Sequence, residues 1–133
     1  MAGLVSDDPH LHADLIIPIP LHPRRLRERG FNQAELLARE VARAAIGRVD
    51  TTLLMKVRET RSQAELSRQE RAINLTGAFE ASRPVNEARV LLVDDVMSTG
   101  ATANECARVL RRAGAGEVAV VVAAMALPER ARK

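Results

Sequence analysis

The 133-residue sequence has no tryptophan and no tyrosine, and its only aromatic side chains are Phe31 and Phe79. A platform on which successive nucleic-acid bases stack is therefore poorly supported. A single cysteine, Cys106, excludes an intramolecular disulfide and a cysteine-rich zinc site built from this sequence. It falls on the apolar side of an expected helix and reads as core packing. No apolar run reaches the roughly 18 residues of a membrane-spanning helix, and Met1 to His12 lacks the basic region and apolar stretch of a targeting segment. The expectation is a cytoplasmic protein without membrane insertion. Histidine is scarce too: His10 and His12 have no partners at metal-site spacing, and His22 stands alone in a loop region.

With 47% hydrophobic and 28% charged residues, the chain reads as globular rather than disordered. Its length fits one domain, 1–133, in which 1–13 is expected to be an extended or disordered lead. The formal net charge is only +3, so the placement of the arginines carries more meaning than their number. In "PRRLRERG", Arg24, Arg25, Arg27 and Arg29 are opposed by Glu28 alone. "KVRETRSQAELSRQER" adds Lys56, Arg58, Arg61, Arg68 and Arg71. Either region could meet phosphate, or form a solvated basic surface.

Along the chain, "DLIIPIP" (Asp14 to Pro20) has the apolar character of a short strand, with Pro18 and Pro20 fraying its end. A loop is expected next. Asn32 then caps a helix, with Glu35 in capping-box position and an apolar face of Ala34, Leu37, Ala38, Val41 and Ala45 running until Gly47. "TTLLMKV" is a second strand candidate, and "LTGAFEA" a short one. Between them "RETRSQAELSRQERAIN" is polar and without a steady period, as expected of a mobile excursion. "RVLLVDD" is the clearest strand. Ala103, Cys106, Ala107, Leu110 and Ala113 follow at helical spacing as far as Gly114, and "EVAVVVAAMAL" reads as a last, fully buried strand. This alternation with continuous apolar strands predicts an α/β fold of three layers: a mostly parallel sheet with helices on both faces.

In such a sheet ligands bind beyond the carboxyl ends of the strands. Asp94 and Asp95 stand there, directly after the apolar run Val90 to Val93. Two adjacent carboxylates repel each other and resist burial, so a cationic or hydroxyl-bearing partner is expected. Ser98, Thr99, Gly100, Ala101 and Thr102 follow as a turn into a helix, whose amides and hydroxyls can surround a phosphate. Carboxylates accept from the paired hydroxyls of a ribose, and an amide-lined turn suits its phosphate; a ribose 5-phosphate satisfies both. An isolated acid pair would read more simply as a helix cap. Strand, both acids, turn and helix in this order point to a ligand.

"VLLVDDVMSTGAT" resembles the phosphoribosyl diphosphate signature of the type I phosphoribosyltransferases. Two further segments, "IPIPLHPRRLRERGFNQAELLA" and "RETRSQAELSRQERAINLTGAF", make the chain similar to the ComF family, which is associated with DNA uptake in competent bacteria. The resemblance covers most of Asp14 to Leu127. It implies a pyrophosphate loop at Arg29, Gly30, Phe31, Asn32 and Gln33, and a flexible loop carrying Arg61, Gln63, Arg68, Arg71 and Asn74. It also implies displacement of pyrophosphate at the anomeric carbon, with Mg²⁺ bound mainly through the phosphoribosyl diphosphate. Asp94 and Asp95 would be the catalytic pair that positions the ribose. The sequence departs from typical members, which carry an N-terminal cysteine-rich zinc module, so zinc binding is not carried over. Three functions follow as expectations: a phosphoribosyltransferase with an unidentified acceptor, a non-catalytic binding protein for the same ligand, or a DNA-uptake accessory protein whose basic loops meet single-stranded DNA or the competence machinery.

Overall fold

Neighbouring residues of β1 (Leu15–Pro18) and β5 (Arg89–Met97) point to opposite faces of one sheet, and each face is covered by its own helix. The computed structural model describes residues 12–60, 74–97 and 100–125. Leu15, Ile17, Val90 and Leu92 pack with Ala103, Cys106, Ala107 and Leu110 of α3 (Ala101–Arg112). Ile16, Leu91 and Val93 pack instead with Ala38 and Val41 of α2 (Gln33–Ala42). Alternation along an extended chain thus turns one apolar run into two cores. Each fully buried Leu, Ile or Val stabilises the fold by about 1.5–3 kcal/mol.

The sheet has the order β2 (Arg48–Val49), β1, β5, β6 (Glu117–Met125), with every pairing parallel. The expected three layers are borne out, and "RVLLVD" lies inside the sheet between β1 and β6. β6 departs from expectation. It is the outermost strand among the described residues rather than a fully buried one; Val118 and Val121 are half-buried and Val120 is 38% exposed. An edge strand has one neighbour, and α3 covers it only in part.

The "TTLLMKV" and "LTGAFEA" segments do form strands, β3 (Leu54–Lys56) and β4 (Phe79–Ala81), but they pair antiparallel in a separate ribbon. Leu54 and Phe79 plug this ribbon into the core beneath α3. Its open end is tied by the Val57 amide donating to the Ala78 carbonyl at 2.8 Å, and by the Arg58 guanidinium donating to the carbonyls of Asn74 and Thr76. Residues 61–73 connect these two sides and lie outside the described residues.

Two local readings are corrected. The segment expected as a loop after β1 contains a helix, α1 (Pro23–Arg29), which has Pro23 at its first position, the His22 imidazole as its N-cap and Gly30 behind it at φ 87°. Proline with its preset φ and glycine in the left-handed region mark helix starts and stops. None of its residues is buried, so no apolar period announces it. The second correction concerns α2, which ends at Ala42 rather than at Gly47. The amides of Arg43 and Ala44 donate three residues back, and the chain then turns so that the Ile46 carbonyl accepts from Ala13. Gly47 has a different role: a Cβ there would stand 2.7 Å from the Ala13 carbonyl oxygen. Ala13, at the end of the expected lead, is buried; residues 1–11 lie outside the described ones.

Candidate functional site

β1 pairs with β5 as far as Pro18 opposite Val93, and the Ile19 amide then donates to the Val93 carbonyl at 2.9 Å. Asp94 and Asp95 are the next two residues of β5. They stand where β1 has ended but β5 and β6 continue for a further turn of pairing, so they face the carboxyl edge of the sheet rather than cap the strand. Backbone amides order the pair: Asp95 N–H donates to Oδ1 of Asp94 at 2.9 Å, and Val96 N–H to Oδ1 of Asp95 at 3.0 Å. Burial, then the adjoining Asp95 carboxyl, pushes Asp94 up to about 7, against the opposing pull of the Asp95 amide. Hydroxyl donors or a cation at the site would favour the carboxylate form of Asp94 and offset this rise.

Past β5 the chain re-enters at Gly100, whose φ of 81° places it in the left-handed region, and Ala101 and Thr102 open α3. Among the described residues no side chain caps this helix, and its first turn holds no acidic residue. A helix N-terminus carries partial positive charge, which suits an anion. Ser98 and Thr99 lie outside the described residues.

The segment Arg29 to Gln33 is brought to the same edge by hydrogen bonds. Asn32 caps α2 through Oδ1, which accepts the Ala34 amide at 3.0 Å, while its Nδ2 donates to the Ile19 carbonyl at 3.1 Å. Ile19 in turn is bonded to Val93, one residue before Asp94. Both ends of the Asn32 side chain are thus committed to structure, and an anion would meet backbone. Arg29 and Gly30 close α1, Phe31 is exposed, and Gln33 begins α2. The carboxylate of Glu35, expected to complete a capping box, lies 3.7 Å from Arg39.

Of the expected flexible-loop residues, Arg61, Gln63, Arg68 and Arg71 lie outside the described residues. Asn74 is seen at the base of the ribbon, where its carbonyl accepts from Arg58. In the sequence Lys56 is marked only by its positive charge. It is half-buried on β3, with Nζ 5.6 Å from the centroid of the Phe79 ring, and burial, then the nearby Arg25, holds it below the ordinary lysine range. Its signal was a lone cation in an apolar strand. His22 donates nothing to chemistry through Nδ1, which accepts the Arg24 amide at 3.1 Å. Cys106 is fully buried, and burial followed by the charge of Asp94 pushes its thiol far up, which makes it inert packing as expected.

Among the described residues no group of three or more His, Cys, Asp or Glu could hold a metal ion. The two adjacent carboxylates still fit Mg²⁺, which takes oxygen donors, keeps several waters and is commonly held by one or two carboxylates plus substrate phosphates. No helix among the described residues is long and apolar enough to cross a membrane.

Comparison with known proteins agrees with the fold. The family described as "Phosphoribosyl transferase domain" matches residues 27–133. A DNA utilization protein, YhgH of Escherichia coli O6:H1, is 41% identical over 107 residues, covering 80% of this chain and 47% of the relative. Competence protein F of Haemophilus influenzae is 39% identical, covering 80% and 48%. Competence protein ComFC of Streptococcus pneumoniae is 37% identical, covering 77% and 44%. The chain spans about half the length of the curated relatives it matches. Among solved structures, that of the "allosteric regulatory enzyme of purine biosynthesis" superimposes with a TM-score of 0.60 at 23% identity, covering 92% of this chain and 24% of that one. This last likeness concerns the fold.

Proposed function

The chain belongs to the phosphoribosyl transferase domain family and is similar to its ComF-type members, and from that premise we propose that it binds phosphoribosyl diphosphate and transfers the phosphoribosyl group to an acceptor. One observation carries the reading. The Asp94–Asp95 pair and the Asn32-anchored segment meet at the carboxyl edge of β1 and β5, joined by the bonds Asn32 to Ile19 and Ile19 to Val93, and the Gly100 turn into α3 follows β5 in the chain. Asp94 and Asp95 accept the ribose hydroxyls. The Gly100 to Thr102 turn, with Ser98 and Thr99 beside it in sequence, receives the 5-phosphate. The backbone of Arg29 to Gln33 takes the diphosphate, with arginines on both sides in the sequence.

In the reaction the bond from the anomeric carbon to pyrophosphate breaks as the acceptor bonds to the same carbon. Carboxylates fixed on the ribose stabilise the cationic sugar between those events, because preorganised charge at developing charge lowers the barrier. Mg²⁺, bound mainly through the diphosphate, would supply neutralisation of the departing oxygens. Calorimetric titration with phosphoribosyl diphosphate and Mg²⁺ tests binding. Pyrophosphate release then separates an enzyme from a binding protein.

A second reading has its own support. α1 carries four arginines with no buried residue, although Arg24 is partly engaged by Glu28 at 3.7 Å and Glu59 at 3.5 Å. Such a helix suits a polyanion, and relatives named for competence and DNA utilization keep single-stranded DNA, or another part of the competence machinery, in view as a partner.

A further inference from the structure

β6 has the composition of an interior strand and the position of an edge. From Val118 to Leu127 the sequence holds only Val, Ala, Met and Leu, yet among the described residues no strand pairs with the outer side of β6. It keeps one register with β5 over its nine residues, Glu117 to Met125, so no bulge turns the edge away. After Glu117 neither a charged side chain nor a proline interrupts the strand. Those are the devices that keep an open edge from pairing with another chain. Val120, in register with Leu92, stands on the face that α3 covers, but it remains exposed.

We infer that β6 pairs antiparallel with β6 of a second copy of this chain, about a two-fold axis at Val121. A two-fold contact joins one patch to itself, so the patch must suit its own reverse. Val121 is the midpoint of Glu117–Met125, and pairing over the full strand sets Val120 opposite the second copy's Val122, Ala119 opposite Ala123, and Val121 opposite itself. Aliphatic side chains then meet aliphatic ones on both faces, with no charge set against its like. The antiparallel sense also separates the arginines. Arg111 and Arg112 close α3 just before β6 begins, and in the pair they stand at opposite ends of the contact. The segment 126–133 is a poorer occupant, since Pro128 cannot donate to a ladder and Glu129, Arg130, Arg132 and Lys133 are charged. Two four-stranded sheets become one, with their Asp94–Asp95 pairs on opposite edges. Nine residues offer about 30 Å of edge, a narrow contact beside the roughly 1,200–2,000 Å² of stable complexes. Association at micromolar concentration is expected.

The test is sedimentation equilibrium of this chain from about 1 μM to about 500 μM, a range that brackets a micromolar dissociation constant. The mass should rise from monomer to dimer and stop there, because an antiparallel pair uses both edges and closes. Val120→Lys should weaken association roughly tenfold or more, while Leu36→Lys, at an exposed apolar residue of α2, should leave it unchanged. Val121→Cys reads the register: Cys106 is fully buried, so mild oxidation should link two chains through the introduced thiol alone. A monomer across the whole range overturns the inference, whether the edge stays open or takes a strand of another protein. So does growth beyond the dimer, a dimer indifferent to Val120→Lys, or a dimer that Val121→Cys fails to link.

Discussion

The guanidinium of Arg83 is paired with the carboxylate of Asp50, a residue only 8% exposed, across 33 positions of sequence. The other oxygen of Asp50 accepts from the amides of Thr52 and Leu53 and from the Thr52 hydroxyl, all between 2.9 and 3.0 Å. This knot joins the end of β2 to the base of the ribbon, and so fixes β3 and Lys56 relative to the sheet.

Burial pushes Asp50 up, but the Thr52 amide, Arg83 and the Thr52 hydroxyl outweigh it and hold the carboxyl down at about 2, against 3.8 unperturbed. Its stabilisation is complete above pH 4 and is lost as pH falls from about 4 to 2. Asp50→Ala should lower stability at pH 7 by on the order of 2 kcal/mol. The deficit against wild type should shrink in acid. Denaturant melts at pH 7 and pH 3 check this, and a constant deficit would contradict it.

Asp94 has the opposite sign. Its folded value of about 7 lies above the unperturbed 3.8, so ionising it opposes folding progressively as pH rises from about 4 to 7. Asp94→Asn should raise the melting temperature at pH 7.5, by on the order of 1 kcal/mol of stability, and have little effect at pH 4. Thermal scans at both values decide.

Replacing Asp94 and Asp95 together with Asn should weaken phosphoribosyl diphosphate by roughly 1–3 kcal/mol without a matching loss of heat stability. Unchanged affinity by calorimetry in a folded double variant would remove the pair from the site.

Asn32→Ser keeps an oxygen to cap α2 but loses the bond from Nδ2 to Ile19. The helix should lose less than about 1 kcal/mol, since serine is a good cap. Diphosphate affinity should fall more, because the anion-facing backbone is no longer tied to β1. Parallel melting and titration would reveal equal losses if the tether is merely structural.

If α1 meets single-stranded DNA, affinity should fall with salt at a logarithmic slope of about −0.7 per phosphate contacted. Changing Arg24, Arg25 and Arg27 to Ala should reduce it further, with little dependence on base sequence. Absence of a retarded band at micromolar protein and about 50 mM salt, where phosphate contacts remain strong, would retire direct DNA binding.

The sequence by itself determined the strand of β5, since four consecutive apolar residues before two acids admit few other placements, and it determined α3 and the cap of α2 through helical spacing and Asn32. These features are local: each is written within about a dozen residues. Tertiary structure alone decided what depends on distant partners. A continuous apolar run is the same string at a sheet edge or centre, so only the strand order exposed β6. α1 buries nothing, and a helix without an apolar face leaves no period to read, only Pro23 and Gly30 at its ends. The antiparallel ribbon and the Asp50–Arg83 pair join segments separated by loops. The protonation of Asp94 follows the same rule, because burial by the surrounding fold is the largest cause of its shift.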